Sequence, residues 1–328
     1  MDGTYLVTGC ASFIGSHLAD DLLAGGARVV GIDSFLPNYA SARKRQNLRR
    51  ALDHDSFELV ELDLADPDAE LRDLVGDANA VFHLAGEPGV RTSWGSSFES
   101  YLRNNVLATQ RLLEAAKLWP EKRFVFTSSS SVYGEADELP VTEEAATKPF
   151  SPYGATKHAA EELCRVYHEN HGVEAVMLRY FSVYGPRQRP DMGFERFCHA
   201  ALRGEPIRVF GDGRQTRDFT YVSDAIGATR AAAEAPSVAG RVYNIGGDSC
   251  VSVNDALTAI ARLTYRVLDV HHLEREYGDV RYTAADTSLA REELGLRPSV
   301  SLEEGLRRQI EWALAPHETT VSARGATA

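Results

Sequence analysis

Tyr153 and Lys157 stand four residues apart in Ser151-Pro152-Tyr153-Gly154-Ala155-Thr156-Lys157. A helix starting near Pro152 places both on one face. A free tyrosine titrates near ~10 and is a poor base at neutral pH. A nearby ammonium favours the phenolate and lowers that value, which makes a proton acceptor of the pair. Upstream, Ser128-Ser129-Ser130-Ser131-Val132-Tyr133-Gly134 supplies hydroxyls that would complete a proton path. Taken alone, Tyr-x-x-x-Lys on a helix is usually an accident of packing. Its weight depends on what precedes it.

What precedes it is a loop built for phosphate. Tyr5-Leu6-Val7 runs into Thr8-Gly9-Cys10-Ala11-Ser12-Phe13-Ile14-Gly15 and then a helical pattern. Gly9 suits a tight turn, Gly15 lets the helix approach the strand, and the helix N-terminus offers free amides to a pyrophosphate. Ser12 stands where the usual pattern has its middle glycine. Asp33 follows Gly15 by 18 residues at the end of the second strand. A carboxylate there accepts from both ribose hydroxyls and repels a 2′-phosphate, which favours NAD over NADP. The cationic nicotinamide ring would then help the ammonium lower the tyrosine pKa. Asp63-Leu64 closes the third strand, where an adenine amino group could be met; a solvated turn serves the spacing equally well. Leu84, Ala85 and Gly86 end the fourth strand with small residues that admit a dinucleotide, while His83 reads as structural. Asn104-Asn105 falls inside a long helix, where paired asparagines usually brace backbone.

These residues need a scaffold that alternates. Tyr5–Val7, Val29–Ile32, Phe57–Val60, Ala80–Leu84, Phe124–Phe126 and Ala175–Leu178 read as strands. Residues 13–25, 41–51, 97–118 and 152–170 carry helical spacing. Near-continuous apolar strands separated by helices predict an α/β fold, a doubly wound parallel sheet covered on both faces. From about residue 180 the pattern loosens, and helix 224–235 and strand 241–245 look like returns to the main sheet. The expected division is a dinucleotide-binding unit of 1–179 plus 219–247, a smaller α/β unit of 180–218 plus 248–315, and a frayed tail of 316–328. No internal repeat is visible.

Composition narrows the partners. The chain has 328 residues, with 35 Lys and Arg against 47 Asp and Glu, a formal charge of −12. A field of that sign opposes nucleic acid and anionic membrane. No apolar run reaches the ~18 residues of a membrane helix. The chain enters a strand pattern at once, so no signal peptide is expected. Cys10, Cys164, Cys198 and Cys250 form no CxxC, which points to a reducing cytoplasm. No metal is expected: His271 and His272 are adjacent, and His168 and His171 sit at a helix end.

Together these motifs resemble the extended short-chain dehydrogenase/reductases, specifically the NAD-dependent nucleotide-sugar epimerases and dehydratases. The likeness runs through Thr8–Gly15, Asp33, His83–Gly86, Asn104-Asn105-Val106, Ser128–Gly134, Tyr153-x-x-x-Lys157, Leu178–Pro186 and Phe210–Phe219, from about residue 4 to 312. It implies a Rossmann-like sheet, with Tyr153 as base, Lys157 as its electrostatic partner and Ser129 as the hydrogen-bonding hydroxyl. It implies NAD contacts from Gly9, Ser12, Phe13, Ile14 and Gly15 of the loop, and from Asp33, Asp63 and Leu64. Leu84, Ala85, Gly86 and Asn105 would add to them, with Tyr153, Lys157, Tyr180 and Val183 near the ring. It places the sugar nucleotide against Arg91, Ser129, Ser130, Ser131, Ser182 and Arg189, then Gly193, Phe194, Val209 and Gln215. Arg217 and Asp279 complete that set, Arg217 on the phosphates. A homodimer through helices 97–118 and 152–170 is implied as well.

Absent groups choose among members. The family's 4,6-dehydratases resemble one another in an Asp-Glu pair where this chain has Ser130 and Ser131, and the decarboxylating members' glutamate is missing too. Simple C4 epimerisation needs no acid beyond the tyrosine relay. Tyr184-Gly185-Pro186-Arg187-Gln188-Arg189-Pro190-Asp191-Met192 resembles the UDP-glucuronate 4-epimerases, as do Gly89-Val90-Arg91 and the serine run. An arginine can grip a uronate carboxylate bidentately; Arg189 pinning its own loop through Asp191 or Glu195 is the other reading. The expectation is therefore interconversion of UDP-glucuronate and UDP-galacturonate with NAD recycled. UDP-glucose/UDP-galactose or an N-acetylhexosamine is the alternative substrate. A net dehydrogenase or a non-catalytic dinucleotide-binding scaffold stands further off.

Overall fold

Seven strands of alternating apolar sequence pair in parallel: β1 (Thr4–Thr8), β2 (Arg28–Asp33), β3 (Phe57–Glu61), β4 (Ala80–His83), β5 (Arg123–Ser129), β6 (Glu174–Tyr180) and β7 (Val242–Ile245). The computed structural model describes residues 3–315 apart from Asp68 and Ser249. The expected fraying of the tail, 316–328, lies outside the described residues. The order across the sheet is β3-β2-β1-β4-β5-β6-β7. The chain reverses direction between β1 and β4, and in such sheets the crevice beyond the strand ends at that point takes the ligand. Two apolar clusters cover the two faces. One holds Val7, Val29, Phe82, Val125 and Val176; the other holds Leu6, Val30, Val81, Phe124 and Phe126, the period-two complement of the same strands.

The first helix, Phe13–Ala24, is capped by the very residue that departs from the glycine pattern: Ser12 accepts from Gly15 N at 3.2 Å. Such a cap contributes about 1 kcal/mol. The helix Pro152–His171 has every signal its sequence promised. Ser151 caps it by accepting from Gly154 N at 3.1 Å, Pro152 opens it, and Gly172 closes it with φ 74°.

Three expectations are corrected, and one helix is added. The segment 41–51 is two helices, Ser41–Asn47 and Arg49–Leu52, which meet at Leu48. The long helix 97–118 is composite: a 3₁₀ turn at Gly95–Ser97, α-helix at Phe98–Tyr101, π-helix at Leu102–Leu107 and α-helix at Ala108–Ala116. The π segment contains Asn104 and Asn105, which it turns inward, both buried. Strand β3 ends at Glu61, so Asp63 and Leu64 lie in the following turn. A helix at Leu71–Gly76 links β3 to β4 and buries only Leu71 and Val75, too short a pattern to read from periodicity.

Beyond β6 come short pairs: Val183–Tyr184 with Thr220–Tyr221, Ile207–Phe210 with Val270–Leu273, and Thr216–Asp218 with Cys250–Ser252. The apolar cluster on one face of the sheet continues into these elements through Tyr184, Phe194, Val209 and Leu257. Among the described residues no helix is long and apolar enough to cross a membrane.

Candidate active site

A cavity of about 330 Å³ lies at the C-terminal ends of β1, β2, β4, β5 and β6. Its phosphate end is made by glycine and the capped helix. Gly9 has φ 70°, and a Cβ there would lie 2.8 Å from Ala85 N; one at Gly15 would lie 2.1 Å from Gly9 O. Gly15 therefore does not line the cavity but lets the helix close on the loop. Ser12, Phe13 and Ile14 line it directly.

Asp33 stands at the β2 end, accepting from Ala11 N at 3.0 Å and Phe35 N at 2.8 Å. Burial pushes its carboxyl above the ordinary range, against those two bonds and the Lys44 ammonium. Each oxygen keeps a second lone pair for a ribose hydroxyl. Asp63 accepts from Ala65 N and pairs with Arg103 at 2.6 Å, yet it and Leu64 still border the cavity.

Leu84, Ala85 and Gly86 form the wall under β4. His83, just before them, is settled as a structural residue by its neighbours. Thr109 gives its hydroxyl proton to Asn105 O at 2.6 Å and so accepts from His83 Nε2 at 2.9 Å. Thr8 accepts from Ala85 N and donates to Nδ1 at 2.8 Å. That arrangement needs a neutral ring, and burial drives the His83 pKa down to about 3. Asn105 borders the cavity with its amide already engaged, by Glu87 N at 2.6 Å, Glu87 O at 3.0 Å and Thr156 Oγ1 at 2.9 Å. It ties the β4 loop to the helix that carries Tyr153 and Lys157.

Gly154 brings that helix against the serine run: a Cβ there would lie 2.4 Å from Ser131 O. Ser129, Ser130, Ser131, Tyr153 and Lys157 all face the cavity as expected. The electrostatics differ from expectation. Burial raises the Tyr153 pKa, and what opposes it is a hydrogen bond with Ser129 and the charge of Arg189, not Lys157. Lys157 is itself pushed down to about 8 by burial, partly offset by Glu161 and Cys164, and its Nζ lies 4.3 Å from the centre of the Phe126 ring.

Tyr180 borders the cavity with its hydroxyl turned to Thr229, and Val183 lies beside it. Ser182, at φ 23°, and Arg189 complete that wall. Arg189 is held by Asp191 through Nε at 3.0 Å and its terminal nitrogen at 2.8 Å. Glu195, the other partner considered for Arg189, pairs instead with Arg43 and His199.

The remaining expected substrate residues do not border this cavity. Phe194 stacks on Phe219 at 4.4 Å and Val209 is buried beside it in the apolar cluster; both are packing residues. Gly193 opens the Gly193–Arg203 helix, and Gln215 donates to Phe210 O at 2.8 Å. Asp279 pairs with Arg91 at 2.5 Å, while the Arg91 guanidinium lies 4.2 Å from the Phe210 ring centre. Among the described residues Arg217 donates only to the backbone carbonyls of Thr216, Val280 and Arg281. Burial, with Arg91 and Arg275 nearby, lowers its pKa against the pull of Asp279. Three guanidiniums, those of Arg91, Arg217 and Arg275, lie near Asp279, with Glu135 3.7 Å from Arg275, an excess of positive charge that suits an incoming anion.

Sequence reasoning missed Tyr39, Lys44, Glu87 and Thr127, all bordering the cavity. Lys44 donates to Leu36 O at 2.7 Å, and Glu87 accepts from Ser100 and Asn104. The Tyr39 hydroxyl is buried without a hydrogen-bond partner among the described residues, while Thr127 faces Tyr180. A polar-lined crevice with an unmatched hydroxyl, a glycine-closed helix N-terminus and an acid at the β2 end fits a dinucleotide. Among the described residues, no cluster of three His, Cys, Asp or Glu side chains is arranged to hold a metal.

Fold and site together define a dinucleotide-binding enzyme whose cavity gathers a tyrosine, a lysine and a serine run. The chain belongs to the NAD dependent epimerase/dehydratase family, whose model matches residues 5–246. It is 42% identical over 94% of its length to the "Uncharacterized UDP-glucose epimerase YtcB" of Bacillus subtilis (strain 168), covering 96% of that protein. It is 36% identical to the UDP-glucuronate 4-epimerase of Thermodesulfobacterium geofontis (strain OPF15), covering 95% of this chain and 96% of that one. Among solved structures it superposes with a TM-score of 0.91 on the UDP-glucuronic acid 4-epimerase from Bacillus cereus in complex with UDP-glucuronic acid and NAD. Identity there is 42%, over 94% of this chain and 98% of that chain.

Proposed function

We propose that this protein interconverts UDP-glucuronate and UDP-galacturonate by oxidation at C4, rotation of the 4-keto sugar and re-reduction. Bound NAD, held by the Gly9–Gly15 loop, Asp33 and Lys157, supplies a reversible acceptor for the hydrogen at C4. Tyr153 takes the O4 proton, with Ser129 stabilising the phenolate. The keto sugar turns about its diphosphate link, which Arg217 and Arg91 retain, and Tyr153 returns the proton on the other face. A uronate in its 4-keto form is a β-keto acid that loses carbon dioxide if its carboxylate aligns with the carbonyl. Ser130, Ser131, Ser182 and Arg189 are assigned to hold that carboxylate out of alignment.

The observation that carries this reading is one cavity bordered by Tyr153, Ser129 and Arg189 with no carboxylic acid at positions 130 and 131. A neutral hexose is the second reading, and the Arg189–Asp191 pair favours it, since Arg189 already has a carboxylate. Competition decides: with no cofactor added, UDP-glucuronate and UDP-glucose are supplied together and their epimers separated by chromatography. Preference for UDP-glucuronate supports the first reading; preference for UDP-glucose installs the second. In either case Tyr153→Phe should slow turnover by about 10²–10⁴-fold.

The same reading assigns residues 1–179 plus 219–247 to the cofactor, and 180–218 plus 248–315 to the sugar nucleotide. It includes a homodimer, supported by exposed Leu102, Leu107 and Val166 on the two helical segments named for it. Light scattering on purified protein tests that point. Four free thiols, three of them buried, support a reducing cytoplasmic setting.

A further inference from the structure

A second cleft, of about 500 Å³, opens between the Gly193–Arg203 helix, the Ile207–Phe210 strand and the Ser41–Asn47 helix. Its chemistry is set by spacing. Arg196, His199 and Arg203 recur at three- and four-residue intervals, so they share one face of the helix. Arg208 occupies an exposed position on the facing strand, and Arg43 enters from the far side. The guanidiniums of Arg196, Arg203 and Arg208 have no hydrogen-bond or ion-pair partner among the described residues. Arginines gathered elsewhere on the surface are matched by carboxylates, as Arg165 is by Glu162 and Glu169, while unpaired ones such as Arg266 stand apart from this cleft. Among the described residues two carboxylates line the cleft. Glu195 is buried and engaged by Arg43 and His199, and Glu205 is exposed.

In a chain of formal charge −12, carboxylates are the commoner charge, so converging unpaired arginines create a local field of the opposite sign. Arg203 also lies at a helix C-terminus, where any cation is favourable. Arg196 and Arg208 have no such reason. Guanidinium forks match phosphate oxygens two at a time, and the half-buried Phe197 ring lines the same cleft. We propose that this cleft is a second anion site, separate from the catalytic cavity, that takes a polyphosphate-bearing ligand.

The test is calorimetric titration of full-length, NAD-loaded protein with inorganic tripolyphosphate and, separately, with ATP. Wild type is compared with Arg217→Ala, which disables the arginine cluster near the catalytic cavity, and with Arg196→Ala/Arg208→Ala. A saturable site is expected to survive in Arg217→Ala and to weaken at least about tenfold in the double variant. Tighter binding of ATP identifies a nucleotide; equal binding identifies the phosphate chain alone. Arg203→Glu, on the same face, should give the same loss with a melting temperature within roughly 2 °C of wild type, which separates lost binding from lost folding. Binding unchanged in both the double variant and Arg203→Glu, or abolished by Arg217→Ala alone, overturns the proposal.

Discussion

Arg189 donates to both carboxylate oxygens of Asp191, at 3.0 and 2.8 Å, while bordering the cavity that contains Tyr153. The arginine is mostly buried and the aspartate mostly exposed. A substrate carboxylate entering the cavity therefore competes with a partner that water already weakens.

That competition gives opposite outcomes for two substitutions. Arg189→Ala should lower kcat/KM for UDP-glucuronate by about ten- to a hundredfold, the scale of a charge-assisted contact. It should also release a trace of UDP-4-keto-pentose with carbon dioxide, each release leaving the cofactor bound in its reduced form. Asp191→Asn should lower KM for UDP-glucuronate by about two- to fivefold, the scale of an exposed ion pair. Normal turnover of UDP-glucuronate by Arg189→Ala would reduce Arg189 to a loop anchor.

The pH profile follows from two buried groups. Tyr153 works deprotonated, so kcat/KM rises with pH through its pKa. Ser129 and Arg189 hold that value down against burial. Removing the hydroxyl in Ser129→Ala should move the rising limb to higher pH. Lys157, at about 8, is already neutral where that limb rises, since burial holds Tyr153 above the ordinary tyrosine range. A Ser129→Ala profile that superposes on wild type removes Ser129 from the proton path.

His83 makes stability acid-sensitive. Its pKa is about 3 in the fold against 6.5 unfolded, so the unfolded chain binds more protons between those values. Stability is therefore complete above pH 6.5 and lost as pH falls towards 3. At pH 4 the loss from this group is on the order of 3 kcal/mol. His17, lowered to about 4 by burial and by Arg187, acts in the same direction. Urea unfolding at pH 7 and pH 4.5 should show His83→Gln less acid-sensitive than wild type; equal sensitivity would place the effect elsewhere.

Gly15→Ala puts a methyl 2.1 Å from Gly9 O, backbone that cannot yield without opening the phosphate loop. Overpacking of this kind costs about 1–3 kcal/mol. Purified Gly15→Ala should carry far less NAD than wild type, read from absorbance after denaturation. Full NAD content would mean that the helix has room to retreat.

Much of this was legible in the chain because the signals are local. Strand alternation, Gly9 and Gly15, Ser151-Pro152 and Tyr153-x-x-x-Lys157 each carry their own geometry, and the sheet and the meeting of Tyr153, Lys157 and the serine run at one cavity followed from them. What was not legible depends on long-range closure. Lys44 and Tyr39 lie on a polar segment with no motif, and only the fold brings them beside Asp33. The π-helix at Leu102–Leu107 satisfies helical spacing while rotating Asn104 and Asn105 inward. Phe194 and Val209 fall inside a family-like segment yet are claimed by the core. Asp191 was weighed as a partner of Arg189, and only the structure decides between it and Glu195.

The most direct measurement is proton NMR of UDP-glucuronate incubated with purified protein and no added cofactor. The account predicts a stable mixture of UDP-glucuronate and UDP-galacturonate, no accumulating NADH and no pentose. An unchanged spectrum, while UDP-glucose is converted to UDP-galactose under the same conditions, would contradict it.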